Sequence, residues 1–128
     1  MKRVILQNIE GMSRIGFISD LEIYVNTDDS GKIPHFHVRD SKDWKRFHTC
    51  IRIDAPEYFH HGSKQSTLNA SQRKELDEFM KSPCSKKLYN ESGRRLNNWE
   101  RVCMLWDDNN SDVEIPDSVI QPDYTQLR

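Results

Sequence analysis

The chain has 128 residues, 35% hydrophobic and 30% charged, with a net charge of -1. That length suits one small domain, and with no run near ~18 consecutive apolar residues a membrane span is not expected. Cys50, Cys84 and Cys103 are odd in number and lack a Cys-x-x-Cys pair, which argues against a disulfide framework or a zinc finger and for reduced thiols. The opening MKRVILQNIEG lacks the apolar length and cleavage site of a signal peptide, so a cytoplasmic location is expected. A mean hydropathy of -0.85 is low for a compact fold and predicts that one end lies outside the core.

In chain order, residues 3–9 are a first strand candidate. Residues 17–25 are a second, because Leu21, Ile23 and Val25 alternate with Asp20, Glu22 and Tyr24. Turn formers fill 26–32, and Pro34 holds Ile33 extended, so 17–25 is expected to lie antiparallel beside 35–39.

Residues 35–52, HFHVRDSKDWKRFHTCIR, read as a β-hairpin around a polar turn at 40–46. Phe36 and Val38 alternate with His35, His37 and Arg39, while Phe47, Thr49, Ile51 and Ile53 alternate with His48, Cys50 and Arg52. The apolar sets share a face only if paired residue numbers add to an odd sum. A sum of 85 sets His37 opposite His48 and His35 opposite Cys50; a sum of 87 sets His37 opposite Cys50 and Arg39 opposite His48. Either register gathers the three histidines on one face, with directly opposed Cβ atoms roughly 4.5 to 5.5 Å apart.

Beyond the break at Asp54, Ala55 and Pro56, residues 57–61 read as a short edge strand. A capping box at Asn69 and Gln72 predicts a helix whose stripe is Leu76, Phe79 and Met80 and which stops at Lys81, Ser82 and Pro83. Residues 84–96 read as a polar, basic connection. A second helix is capped at Asn97 or Asn98 and presents Trp99, Val102, Cys103 and Trp106 to the core. Residues 64–101 carry nine Lys or Arg against five acids, and 107–128 carry six acids against Arg128. The order predicts an α+β domain over 1–110, a small antiparallel sheet of three to five strands with two helices packed on one face. An acidic extended tail is expected over 111–128, with Val113, Ile115, Val119 and Ile120 as the apolar anchors it would offer a partner.

Tyr24 and Asn26, the run Pro34-His35-Phe36-His37-Val38, and Asn98-Trp99-Glu100 together resemble a family of small bacterial and phage proteins of unknown function. The resemblance covers about 17–106. It implies a toxin-like or phage-type accessory role through a protein partner, since some members of that family are regarded as toxins encoded beside an antitoxin-like protein. This chain differs in a longer turn at 27–32, a longer insert at 82–96 and the acidic tail.

Four readings of the histidine face stay open. His35, His37, His48 and Cys50 suit zinc, and no other cofactor is implied. His35, His37 or His48 beside Arg39 or Arg52 would supply a base, an acid and a cation for metal-free phosphoryl transfer on RNA, with 64–101 following the backbone. The face can also be a protein contact, with Trp44, Tyr58 and Phe59 as anchors. In the last reading the histidines are structural, bonded to turn carbonyls or to Glu100. Of the two kinds of partner, a protein gripping the tail is preferred to nucleic acid along 64–101.

Overall fold

Period-2 patterning and tight turns give this chain an antiparallel meander. The computed structural model describes residues 12–26, 33–59, 65–110 and 113–128, and within them β1 (Met12–Ile18), β2 (Leu21–Asn26), β3 (His35–Asp40) and β4 (His48–Arg52) lie side by side in that order. Two helices follow, α1 (Ala70–Lys81) and α2 (Asn98–Asn109), and a 3-10 turn at Tyr124–Gln126. The expected α+β class is the observed one. The strand expected over 3–9 lies outside the described residues.

The β3–β4 register is odd, with His37 opposite Cys50 and Arg39 opposite His48, which is the pairing that sums to 87. Cross-strand partners share a face. Ile23, Val38 and Thr49 therefore lie on one side, and Tyr24, His37 and Cys50 on the other. The first side joins the core, where Ile23, Val25, Phe36, Val38, Ile51 and Ile53 cluster with Leu76 and Met80 of α1 and Trp99, Val102, Leu105 and Trp106 of α2.

Both helices begin as their cap residues dictate. Asn69 accepts the Gln72 N–H and Asn97 the Glu100 N–H, with reciprocal side-chain bonds completing both capping boxes. Trp99 Nε1 donates to the Ile53 carbonyl at 2.9 Å and Arg101 to the Arg14 carbonyl at 3.2 Å, which ties α2 to the sheet. The 84–96 connection contains no helical turn; it folds back on itself through bridges between Tyr89 and Arg95 and between Pro83 and Asn97.

Two expectations need correction. The strand placed over 17–25 is broken at Ser19 and Asp20, so Phe17 and Ile18 end β1 and Leu21 begins β2. Ser19 makes this turn with φ of 52°, a left-handed conformation uncommon outside glycine, and its hydroxyl donates to the Glu75 carboxylate of α1 at 2.9 Å. Nor does the tail hang free of the domain. Ile115, Tyr124 and Leu127 are buried in the core, and Val119 packs against it. The Tyr124 hydroxyl donates to the Arg52 carbonyl at 2.8 Å, and its ring meets Phe36 edge-on. Asp77 of α1 accepts the Tyr124 N–H at 2.9 Å while pairing with Lys81 at 2.8 Å. Of the four tail residues named as anchors, Ile120 is the one largely exposed, at 85%.

Between Arg14 and Gly16 the β1–β2 register shifts, and Gly16 lies against α1: an added Cβ would stand 2.8 Å from the Phe79 ring. Gly16→Ala is therefore expected to destabilise by about 1 kcal/mol, at the low end for overpacking because the ring tip of Phe79 can yield. Urea unfolding should show this cost shrinking in a Phe79→Leu background.

Candidate functional site

The sheet face opposite the apolar one carries Glu22 and Tyr24 from β2, His35, His37 and Arg39 from β3, and His48, Cys50 and Arg52 from β4, as their pairing requires. It is mostly covered. His35, His37 and Cys50 are 0%, 2% and 1% exposed, so they form an internal polar group.

Each contact at this centre is a specific one. His37 Nδ1 lies 3.3 Å from Cys50 Sγ and 3.1 Å from His48 Nε2, and its Nε2 lies 3.3 Å from the Asn26 amide nitrogen. The His37 ring stacks on Tyr24 at 4.9 Å and on His48 at 5.3 Å, and the Tyr24 hydroxyl is 3.4 Å from His48 Nε2. His35 Nδ1 sits 2.8 Å from the Ile33 carbonyl. A carbonyl only accepts, so Nδ1 carries the hydrogen, which in the neutral ring leaves the lone pair on Nε2. The His35 ring packs between Phe59 at 4.4 Å and Trp106 at 5.4 Å, tilted against His37 at 5.2 Å.

One ligand atom from each of His35, His37 and Cys50 lies within 4.8 Å of the others, a group that can hold a metal ion. His48 is not a member of that group, although it is beside His37. For zinc, Zn–N of about 2.0–2.1 Å and Zn–S of about 2.3 Å make the edges of a tetrahedron about 3.3 to 3.6 Å long. The His37–Cys50 separation of 3.3 Å is already such an edge. The bond from His35 Nδ1 to a main-chain carbonyl is the kind that fixes the tautomer and orientation of a ligating imidazole.

Toward solvent the face opens into a pocket of about 150 Å³ lined by Tyr24, Arg39, Trp44 and His48. Arg39 lies over the Tyr24 ring at 4.8 Å, and its Nε donates to Glu22 at 3.0 Å. Glu22, 1% exposed, also pairs closely with Arg14.

The remaining expected site residues serve other contacts. Arg52, opposite His35, turns to Asp54 at 2.8 Å and to Glu57 at 3.5 Å; the hydrogen bond it donates to the Asp54 carboxylate raises its pKa further, so it stays charged. Tyr58 accepts the Leu68 N–H at 2.8 Å and Phe59 covers His35, so these two half-buried rings serve the fold. Glu100 caps α2 and binds Arg94 at 2.6 Å. Glu22, Tyr24 and Asn26 were not among the expected site residues. Their signal was the alternation of β2 itself, since a strand paired with β3 must contribute its outward residues to the same face.

The chain matches no family model, no curated protein and no solved structure. None of the described helices is long and apolar enough to cross a membrane.

Proposed function

We propose that the chain is a zinc-binding protein that holds the ion inside its sheet through His35, His37 and Cys50, with His48 close enough to serve as the fourth ligand. The observation that carries this reading is the convergence of two imidazoles and a thiol within 4.8 Å at buried positions. Thiolate and imidazole are the ligand types that zinc prefers, and burial excludes the water that would compete for the ion. Ligand atoms within 4.8 Å of one another exceed a tetrahedral edge by at most about 1.2 to 1.5 Å, a gap that side-chain movement can close. Burial also favours the ion over a protein contact or a phosphodiester, because neither can reach His35, His37 or Cys50 from solvent.

Cobalt substitution tests it. The metal-stripped chain should take up about one Co(II) with the visible bands of a tetrahedral site and a near-ultraviolet thiolate-to-cobalt band. Cys50→Ser should lose the thiolate band, and His35→Ala with His37→Ala should lose uptake altogether. A stripped chain that binds neither Co(II) nor Zn(II) at micromolar concentrations removes the proposal.

A further inference from the structure

The pocket beside the buried group has features that an ion does not explain. It is lined by a cation, Arg39, by a half-buried imidazole, His48, by the Tyr24 ring, and by Trp44, which is 56% exposed. The turn that carries Trp44 is well ordered. Asp40 Oδ1 accepts the N–H groups of Lys42 and Asp43 at 2.9 and 3.0 Å. Asp43 accepts the N–H of Lys45 through its side chain and that of Arg46 through its carbonyl, and the Asp40 N–H closes the turn on Phe47. Trp44 is thus presented at the pocket rim, edge-on to His48 at 6.4 Å.

Charge defines what the pocket accepts. Glu22 stands between Arg14 and Arg39, so this trio keeps one net positive charge behind the pocket. The bond from Arg39 Nε to Glu22 and the Tyr24 ring beneath fix the direction of the guanidinium, which favours a planar, directional contact with an oxyanion. The pocket, of about 150 Å³, is large enough to admit a phosphate group. At the rim the exposed indole of Trp44 offers a flat surface on which any base can stack.

We infer that Tyr24, Arg39, Trp44 and His48 line a nucleotide subsite, with the phosphate held at Arg39 and the base stacked on Trp44. The inference does not depend on the zinc reading. Its ligand is either a free mononucleotide or one unit of a single strand, which present the same chemistry.

The full-length chain would be titrated with uridine 3′-monophosphate by calorimetry and with a fluorescein-labelled single-stranded RNA decamer by anisotropy. Saturable binding is expected. Trp44→Ala, a change in an exposed turn, should weaken it roughly 5-fold or more, the effect of losing one stacked base. Arg39→Lys should weaken it as well, because a single ammonium lacks the planar fork. Equal affinity for the two ligands marks a free nucleotide as the occupant; tighter, salt-dependent binding of the decamer marks a strand. No binding of either at millimolar concentration, or affinities that Trp44→Ala leaves unchanged, would overturn the inference.

Discussion

Tyr124→Ala is expected to lower the unfolding free energy by about 3–5 kcal/mol, the range for emptying a fully buried aromatic site. Tyr124 has no exposed surface, its hydroxyl donates to the Arg52 carbonyl at 2.8 Å, and its ring stands edge-on to Phe36. The milder Tyr124→Phe keeps the packing and removes one hydrogen bond, for a loss of about 1 kcal/mol. Deleting 113–128 removes Tyr124 together with Ile115 and Leu127, all core members. Domains of this size are stable by only about 5–15 kcal/mol. The shortened chain should therefore be unfolded or molten at 25 °C, with flattened near-ultraviolet circular dichroism. A truncated chain that melts cooperatively within a few degrees of the full one would show that the tail is an accessory.

The second large effect is linkage between the ion and the fold. An ion that binds only the native state stabilises it by about 2.7 kcal/mol when its free concentration is 100 times its dissociation constant. Zinc added to the stripped chain should raise Tm by several degrees, and EDTA should reverse the change. The quantity to compare is the zinc-induced shift, because His37→Ala also removes the ring between Asn26, Cys50 and His48 and lowers Tm by itself. That shift should vanish in His37→Ala and shrink in His48→Ala. Persistence of the full shift in His37→Ala would place any bound zinc elsewhere.

The features legible in the sequence were the local ones. Both helices start where an asparagine can reach the N–H three residues on, which needs no tertiary information, and Asn69 and Asn97 cap them accordingly. The odd register of β3 and β4 was also legible, because a one-residue slip would turn Phe36, Val38 and Ile51 to the other face. The choice between the two odd sums was not, since both bury the same residues. Ser19 hid the β1–β2 turn: serine is a weak signal for a left-handed residue, and the bond to Glu75 that accompanies it spans 56 positions. At the site, His35, His37, His48 and Cys50 announced themselves by type, whereas Glu22 and Tyr24 join them only through the neighbouring strand. The tail looked dispensable by composition. Tyr124 lies among charged and polar residues, and only its position in three dimensions shows that it completes the core.

The meander is local, but its cover is not. Each strand pairs with the next in sequence, whereas the bond from Arg101 to Arg14 spans 87 positions and that from Tyr124 to Arg52 spans 72. During synthesis from the N-terminus, the apolar side formed by Ile23, Val25, Phe36, Val38 and Ile51 exists long before Trp106 and Tyr124 have been joined to the chain. A nascent sheet with that surface bare is prone to associate with its neighbours, and closing contacts over such separations is slow. Burial of this apolar side therefore waits on residues as far along the chain as Tyr124, and chains that lack them are natural clients for chaperones and proteases.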